Sequence, residues 1–368
     1  MLAQKISLTD FRNYTALELA FGERVNVIYG DNAQGKTNLL EAVHLFSVGR
    51  SNRTFKEGEM IRYGQSGAKI ALEFFSQNRV QTAEISLFRN KRKLITVNEA
   101  PIRKNSDLLG RFHVVYFGPE LLGLVKDGPM KRRKNLDVFI SQLRPNYFSA
   151  AANLRRIVES KNALLKMQHP NLSMLEIMND KLVQYAAELI RYRRYYLDKI
   201  EAAAAAVQRD ISGGREELAV RYLSCIGDLS GLADSEIAPR LQEKLEASQK
   251  RELEQHESLI GPHREDISFE IGGRDARSFA SQGQQKTIVL VEKLAEAALM
   301  QEETGEMPVL LLDDIMSELD RKRQAFVLRQ IPDLQILLTC TDRDGFETPA
   351  GSQYIYVEDG SVRACTCT

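Results

Sequence analysis

The stretch Gly30-Asp31-Asn32-Ala33-Gln34-Gly35-Lys36-Thr37 decides the fold of this 368-residue chain. It follows the apolar run 25–29 and precedes a helical pattern that begins at Leu39. The spacing G-x4-G-K-T between a strand and a helix is that of a P-loop, in which backbone N–H groups and a helix N-terminus surround a phosphate. In a P-loop, Lys36 reaches the β- and γ-phosphates and Thr37 binds Mg²⁺. The alternative is an ordinary turn before a helix, but the complete spacing favours nucleotide binding.

The composition is that of a globular protein with about two domains. Hydrophobic residues make up 43% of the chain and charged residues 27%, which excludes a disordered or fibrous protein. Fifty Lys and Arg residues balance fifty Asp and Glu residues. Because no global positive charge exists, any nucleic-acid binding must come from local basic patches.

The absence of export and membrane signals leads us to expect a cytoplasmic protein. The first eleven residues contain no signal-peptide apolar core, and no apolar run approaches the ~20 residues of a transmembrane helix. The four cysteines show no C-x-x-C spacing, so we expect reduced thiols and neither zinc nor disulfides. Cys365 and Cys367 could together bind a metal, although their position at the C-terminus favours inert thiols.

The periodicity changes from strand-like to helical near residue 119. Alternating apolar residues predict strands at 70–75, 83–88 and 94–97, whereas segments 122–140, 151–166, 173–206 and 236–257 have helical spacing. One helix carries a heptad seam that needs a partner helix, either 151–166 or 236–257. The seam aromatics are expected to pack against that partner rather than stack on bases. The seam residues are Leu175, Met178, Leu182, Tyr185, Leu189, Tyr192 and Tyr196.

A second chemical motif ends the continuous apolar run 309–312. Such a run is typical of a central parallel strand, whose functional residues stand at its carboxyl end. Asp313 and Asp314 follow the run directly, as the acidic residues of a Walker B motif do. Asp313 is then a Mg²⁺ ligand and Asp314 the base that orients the attacking water. Two adjacent aspartates can also simply end a strand, but the P-loop in the same chain favours the catalytic interpretation.

A third motif precedes an apolar-rich helix that begins near residue 284. Ser281 is placed like an N-cap, and Gln282, Gly283 and Gln284 follow it. A hydroxyl and free N–H groups at a helix N-terminus can bind an anion, although a plain capped helix accounts for the same residues. The order P-loop, capped helix, Walker B strand is that of ABC-type ATPases.

Together these motifs resemble the RecF family of bacterial recombination mediators, within the ABC/SMC-like group of DNA-repair ATPases. The resemblance covers nearly the whole chain. It implies that Ser281 belongs to the signature motif, that segment 317–320 is the D-loop and that segment 117–120 corresponds roughly to the Q-loop. It implies an α/β fold: an ABC-type P-loop ATPase head, residues 1–118 and 258–368, with an inserted α-helical second domain, residues 119–257, that forms a short arm. The motifs that carry it are Asp10-Phe11-Arg12-Asn13-Tyr14, the P-loop with Asn38, Phe117-Gly118-Pro119-Glu120, Arg132-Arg133, Gly261-Pro262-His263-Arg264, Ser281-Gln282-Gly283-Gln284-Gln285 and 311–320.

The resemblance also assigns roles to residues, with ATP and Mg²⁺ as the cofactors. Segment 11–14 is expected near the base. Candidate catalytic residues are Lys36, Asp313, Asp314, Ser281 and Thr341, and the metal ligands are Thr37 and Asp313. Candidate nucleotide-binding residues are Gly30, Asp31, Asn32, Ala33, Gln34, Gly35, Lys36, Thr37, Asn38, Arg12, Asn13, Gln282, Gly283 and Gln284.

Two positions depart from the broader ABC pattern. Asp314 stands where many relatives have Glu, and the segment Thr339-Cys340-Thr341 stands where a switch histidine is usual. A shorter base and a missing polar partner suggest slow hydrolysis that times a conformational state. We therefore expect a weak, DNA-stimulated ATPase.

The function implied by the resemblance is an ATP-dependent homodimer in which the signature serine of one subunit completes the site of the other. It would bind double-stranded DNA near single-strand/double-strand junctions and assist recombinase loading at gaps, with RecR- and RecO-type partners and no membrane. Basic clusters at 89–93, 131–134 and 191–194 are candidate phosphate contacts, although such clusters are often merely solvated faces.

Two other functions share the same motifs. The nucleotide-binding subunit of an ABC transporter has a P-loop, signature and Walker B, but the roughly 140-residue helical insertion and the lack of a visible membrane-coupling segment oppose it. An SMC-like DNA tether needs long coils, and the insertion predicts arms of only about 30 to 45 Å.

Overall fold

Apolar segments of the sequence become the buried strands of a central sheet in the computed structural model, which describes residues 1–329 and 334–367. The strands, in chain order, are β1 Leu2–Phe11, β2 Tyr14–Ala20, β3 Val25–Tyr29, β4 Gly67–Ser76, β5 Arg79–Phe88, β6 Leu94–Val97, β7 Ala100–Ile102, β8 Val114–Phe117, β9 Leu218–Leu223, β10 Asp266–Ile271, β11 Arg274–Asp275, β12 Val309–Asp313, β13 Ile336–Cys340, β14 Gln353–Glu358 and β15 Ser361–Cys367. The helices are α1 Lys36–Val48, α2 Pro129–Leu143, α3 Pro145–Leu165, α4 Leu172–Ser212, α5 Asp234–Gln255, α6 Ala276–Phe279, α7 Gln282–Thr304 and α8 Arg321–Arg329.

The first of two compact units, Met1–Gly123 with Val289–Thr368, contains two six-stranded sheets. The antiparallel sheet has the order β2-β1-β4-β5-β6-β7, and the central sheet has the order β15-β14-β3-β13-β12-β8. All neighbours in the central sheet are parallel except the pair β14 and β15. Parallel strands align their carboxyl ends, so the P-loop after β3 and Asp313 at the end of β12 share one edge.

Helix α1 is buried on nearly all sides, which explains why its sequence is mostly apolar after Leu39, with Glu41, His44 and Ser47 as buried polar residues. Its residues join side chains from both sheets in one hydrophobic core. Phe74 and Phe112 stack within this core with ring centroids 5.2 Å apart. The helix that begins at the P-loop is therefore fixed along its length.

The second unit, Leu124–Ile288, is mostly helical, as predicted, but also holds a three-stranded antiparallel sheet of order β11-β10-β9. Helices α3 and α5 both pack on α4, and side chains of the three helices meet around Leu164, Leu175 and Leu253. The heptad seam thus finds partners in both candidate segments. Four of the seam residues are fully buried, namely Leu175, Leu182, Leu189 and Tyr196.

The structure differs from the sequence prediction in three places. The second unit ends at Ile288 rather than at residue 257, because β10 pairs with β9 inside the insertion. Helix α2 begins only at Pro129, since proline is favoured in a first helical turn. Helix α4 has 41 residues and is about 60 Å long at 1.5 Å per residue, longer than the predicted 30 to 45 Å. It continues through the alanine run 202–206 and stops only at Gly213.

Candidate nucleotide-binding site

The loop between β3 and α1 has the shape that its two glycines require. Gly30 has φ 147° and Gly35 φ 118°, values that other residues rarely adopt. A Cβ on Gly30 would lie 2.2 Å from the carbonyl oxygen of Val357, and one on Gly35 would lie 2.7 Å from Nδ2 of Asn13. Larger residues are therefore excluded at both positions by strain and by space.

Lys36 is 7% exposed and points back into its own loop. Its ammonium donates to the carbonyl oxygens of Gly30, at 2.6 Å, and Asp31, at 2.7 Å. Burial lowers the pKa of Lys36, while the nearby Asp314 carboxylate acts in the opposite direction. A buried cation whose partners here are mostly neutral carbonyls is well suited to an anionic ligand.

The rest of the donor set also fits a nucleotide phosphate with Mg²⁺. The N-terminus of α1 has no side-chain cap and no acidic residue in its first turn, so its partial positive charge is not offset locally. The hydroxyl of Thr37 donates to Oδ1 of Asp313 at 2.8 Å, which places two oxygen ligands suitable for Mg²⁺ side by side. A pocket of about 110 Å³ is lined by Asn32, Ala33, Gly35, Lys36, Thr37, Asn38, Asp314 and Thr339.

Asp313 is the most constrained carboxylate of the site. It is 4% exposed and accepts hydrogen bonds from three hydroxyls. Thr37 and Thr339 each donate to Oδ1 at 2.8 Å, and Tyr116 donates to Oδ2 at 3.2 Å. These donors fix the orientation of the carboxylate. Tyr116, at the end of β8, was not among the sequence candidates.

Asp314 faces the same pocket from an unusual backbone conformation, with φ 51°. Its N–H donates to the hydroxyl of Thr339 at 2.8 Å. Burial raises the pKa of Asp314, with Lys36 opposing the rise and the carboxylates of Asp313 and Glu318 adding to it. The group thus stays protonated to a higher pH than an ordinary aspartate, which is consistent with a proton acceptor tuned by its surroundings.

Thr339, not Thr341, contacts the acidic pair. Thr339 is buried, and its hydroxyl donates to Asp313 while accepting from the N–H of Asp314. Thr341 is exposed and lies one residue beyond the end of β13. The parallel register explains the difference, because it sets Thr339 directly beside Asp313, whereas Thr341 lies past the end of β13. The structure therefore does not bring the predicted catalytic residue Thr341 to the acidic pair.

Arg12 and Asn13 lie beside the loop rather than in the pocket lining. Arg12 forms a two-bond ion pair with the buried carboxylate of Glu41, with distances of 2.6 and 2.9 Å. Asn13 donates to the carbonyl of Gln34 at 2.8 Å and accepts from Asn38 at 2.9 Å. Both residues brace the P-loop and α1 in this structure, and their expected position near the base stays a prediction.

Two further supports of the loop were missed by sequence reasoning. The turn between β14 and β15 holds Gln34, whose carbonyl accepts from the N–H of Gly360 at 3.0 Å and whose side-chain oxygen accepts from the N–H of Asp359 at 2.6 Å. Arg53, after α1, donates to Asn38 at 2.7 Å and lies 3.4 Å from Glu41. These residues are distant in sequence from the motif, so no local pattern identifies them.

The predicted signature residues lie in the second unit. Ser281 and Gln284 form a reciprocal cap, in which the N–H of Ser281 donates to Oε1 of Gln284 at 2.8 Å and the N–H of Gln284 donates to Oγ of Ser281 at 3.3 Å. Both residues are exposed or half-buried, as are Gln282 and Gly283. The capped-helix interpretation is therefore satisfied, and the exposed N-terminus of α7 is also available to a ligand.

Two arginines from the candidate DNA-contacting clusters are instead buried in the second unit. Arg132 is 4% exposed and pairs with Asp266 at 2.7 Å. Arg193 is 3% exposed and contacts Asp137 at 2.8 Å and Glu265 at 2.9 Å. Buried, paired guanidinium groups cannot reach a DNA phosphate, so these two residues are removed from the candidate DNA surface.

The sequence of this chain is similar to those of known proteins. The family model described as RecF/RecN/SMC N terminal domain matches residues 2–361. A DNA replication and repair protein RecF from Ruminiclostridium cellulolyticum is 35% identical over 99% of this chain and 100% of its own, and one from Clostridium acetobutylicum is 37% identical over 93% of each. This chain belongs to the RecF family.

Solved structures agree with this membership. A structure of the recombination mediator protein RecF-ATP in the RecFOR pathway has TM-score 0.91 and 35% identity, covering 100% of this chain and 98% of that one. The Smc head domain of Pyrococcus furiosus, at TM-score 0.58 and 15% identity over 100% of this chain and 96% of that one, shares the fold. The chain thus has the ABC/SMC-like ATPase fold that its motifs predicted. In the described ranges, no helix has the length and apolarity needed to cross a membrane.

Proposed function

We propose that this chain is an ATP-dependent DNA-binding protein of recombinational DNA repair that hydrolyses ATP slowly and uses its nucleotide state as a switch. The observation that carries this proposal is the grouping of Lys36, Thr37 and Asp314 around one pocket, with Asp313 hydrogen-bonded to Thr37, in a member of the RecF family. A relative solved as RecF-ATP, 35% identical over the whole chain, supports ATP as the nucleotide.

Each side chain of the site has a distinct task in this proposal. Lys36 holds phosphate oxygens in place of the loop carbonyls, and Thr37 with Asp313 would hold Mg²⁺, which neutralises phosphate charge when bound. Asp314 accepts a proton from the attacking water. Thr339 keeps the Asp313 carboxylate and the Asp314 backbone in fixed positions. Because the Asp314 side chain is one methylene shorter than Glu, we expect a low rate of hydrolysis.

The second part of the proposal is an ATP-dependent homodimer. The N-terminus of α7 with Ser281 would contact the γ-phosphate held on the P-loop of another copy, so that ATP, and not ADP, joins two subunits. The exposure of residues 281–283 supports this role, since a group that contacts a second subunit must be reachable in the single chain.

The third part is the DNA and protein partners. The joined subunits would bind double-stranded DNA near single-strand/double-strand junctions and assist recombinase loading with RecR- and RecO-type proteins; the solved relatives are described as members of the RecFOR pathway. Of the three predicted basic clusters, residues 89–93 are the most accessible. A surface too weak as one copy becomes adequate when two copies engage one duplex.

Sedimentation velocity tests the proposal most directly. Samples without nucleotide, with ADP and with ATP are each run alone and with a hairpin duplex. We expect a dimer with ATP only, and co-sedimentation of the duplex with that dimer. A chain that stays monomeric in all nucleotide states, or binds duplex equally in all of them, contradicts the switch. The nucleotide-binding subunit of a transporter predicts no duplex binding at all.

A further inference from the structure

Two of the four cysteines, Cys365 and Cys367, are exposed on β15. Their sequence position favours inert thiols, but in the structure they belong to a regular strand. In the antiparallel pairing of β15 with β14, Cys365 lies opposite Ile355 and Cys367 opposite Gln353. Side chains two residues apart on a strand point to the same face. The two cysteines are therefore a pair of accessible thiols with a fixed spacing.

The side chain of Gln353 on β14 identifies the face on which both sulfurs lie. Gln353 stands directly opposite Cys367, and its Nε2 donates a hydrogen bond to Sγ of Cys365. The end of β2 orients this amide, because Oε1 accepts from the N–H of Gly22 at 2.5 Å and Nε2 also donates to the carbonyl of Ala20 at 3.1 Å. Since cross-strand neighbours share a face of the sheet, both sulfurs lie on the face of Gln353.

The spacing of this pair suits a bridging metal ion better than a disulfide. Residues two apart in a strand have Cα atoms about 6.8 Å apart, and their Cβ atoms, which point the same way, keep a similar separation. A disulfide needs Cβ atoms about 3.5–4.5 Å apart, so β15 would have to bend away from β14 to form one. Two thiolate–metal bonds of about 2.3 Å in line join sulfurs about 4.6 Å apart. Rotation about χ1 moves each sulfur along the strand and can provide that separation.

The number of ligands decides which ions fit. Among the residues that the structure describes, no three or more His, Cys, Asp or Glu side chains are grouped so that they could hold a metal ion. A structural zinc site needs four ligands of this kind, and hard cations need oxygen ligands. Two thiolates alone suit a soft monovalent ion that accepts only two ligands. In proteins, Cu(I) is such an ion and is selected by thiolates.

We propose that Cys365 and Cys367 form a two-coordinate thiolate site for Cu(I) on β15. The ion binds as Cu(I), so no electron is transferred. Each thiol releases its proton to the solvent as its sulfur binds the ion, and affinity therefore rises with pH. This inference goes beyond the proposed function and does not rest on it, because the site needs neither ATP nor a second copy of the chain.

Anaerobic titration of the reduced full chain with Cu(I), in competition with the chromogenic chelator bathocuproine disulfonate, tests the inference. We expect one ion per chain and a monomer in sedimentation. Cys365→Ser and Cys367→Ser should each weaken Cu(I) binding by at least about 100-fold, since losing a ligand costs more than the roughly 10- to 100-fold loss caused by removing a group that supports one. Both residues are exposed, so the thermal midpoint should stay near that of the wild type.

Two matched variants separate the strand geometry from the mere presence of thiols. Cys225→Ser removes a half-buried thiol of the second unit and should leave Cu(I) affinity within about twofold of the wild type. Cys367→Ser combined with Thr366→Cys keeps two cysteines in the segment but places their side chains on opposite faces of β15. It should bind Cu(I) as weakly as Cys367→Ser alone.

Four results would overturn the inference. Wild-type affinity in the variant that combines Cys367→Ser with Thr366→Cys would show that the face of the strand does not matter. Unchanged affinity in either single serine variant would show that the pair is not the ligand set. One ion shared by two chains, or Zn²⁺ bound as tightly as Cu(I), would show a site with more ligands than these two thiols.

Discussion

At the residue scale, the hydroxyl of Thr339 connects the carboxylate of Asp313 to the backbone N–H of Asp314. Thr339→Val keeps the shape of the side chain but removes one donor to Asp313 and the acceptor of the Asp314 N–H. We expect a stability loss of about 1–3 kcal/mol from the unsatisfied buried groups, and a fall in ATP hydrolysis of roughly 10- to 100-fold. Steady-state phosphate release and urea unfolding measure both effects.

Thr341→Val is the matched control for that variant, because Thr341 is exposed and stands two residues further along the same segment. It should leave both hydrolysis and stability near their wild-type values. If Thr341→Val were instead the more damaging of the two, the switch position would be the one assigned by resemblance and the geometry around Thr339 would have only a structural role.

The raised pKa of Asp314 predicts the direction in which the stability of the protein changes with pH. Its pKa is raised in the folded chain, chiefly by burial, above the ordinary value of 3.8. A raised carboxyl pKa gives a contribution to stability that is complete below the unfolded pKa and is lost as pH rises through the folded pKa. Asp314→Asn should therefore unfold at a higher temperature than the wild type at neutral pH, and the difference should shrink towards pH 3.8.

The pH dependence of ATP hydrolysis should also report the ionisation of Asp314. The acid limb of the wild-type rate profile should lie above the ordinary aspartate pKa, since the base must be ionised to accept a proton. Asp314→Asn should lose hydrolysis while retaining ATP binding. A variant that melts lower than the wild type at neutral pH would show that the attraction of Asp314 for Lys36 outweighs its burial.

At the scale of elements, one buried arginine on α4 connects α2, α3 and the segment before β10 within the second unit. Arg193 donates to Asp137 on α2, to Glu265 before β10, to the carbonyl of Pro262 at 2.8 Å and to the hydroxyl of Tyr147 at 3.0 Å. The motif Gly261-Pro262-His263-Arg264 therefore has a structural role in this chain. Within this motif, His263 has a pKa lowered by burial to about 4, so it is neutral at physiological pH.

Removing this arginine should cost far more than removing its exposed neighbour. Arg193→Ala leaves the buried carboxylate of Glu265 and the partly exposed carboxylate of Asp137 without their cation, and we expect a loss of about 3–5 kcal/mol. Arg191→Ala, at an exposed position two residues earlier on α4, should change stability by less than about 0.5 kcal/mol. Urea titrations followed by circular dichroism compare the two. Equal midpoints for both variants would mean that the ion-pair network contributes nothing to stability.

The elements also show which parts of the molecule the sequence could predict. The residues of the P-loop are consecutive in sequence, and so are those of the Walker B motif. Each set follows a buried strand, so the local sequence pattern was enough to predict both. Tyr116, Thr339 and the turn at Asp359 act from strands that are neighbours in the sheet but distant in sequence, and no short motif records them. The second domain boundary was misplaced for the same reason, because the pairing of β9 with β10 crosses more than forty residues of chain.

At the scale of the whole molecule, the candidate functional residues are distributed over the two units. The P-loop and the acidic pair belong to the first unit, and Ser281 belongs to the second. In the proposed dimer each site takes its P-loop from one copy and its signature from the other. Two copies related by a two-fold axis then contain two equivalent sites, and a defect in one motif affects a different site from a defect in the other.

Mixing two inactive variants tests this arrangement. Lys36→Ala removes the phosphate-binding cation and should lose ATP hydrolysis, whereas Ser281→Arg should bind ATP as a monomer but fail to dimerise, because a bulky cation stands where the facing phosphate must come. In a heterodimer, the P-loop of the Ser281→Arg subunit faces the intact signature of the Lys36→Ala subunit. Each heterodimer has one good site of two, and Ser281→Arg homodimers do not form, so between about a quarter and a half of the wild-type rate should return. A mixture as inactive as its components would exclude assembly in trans, since both motifs would then have to act within one chain.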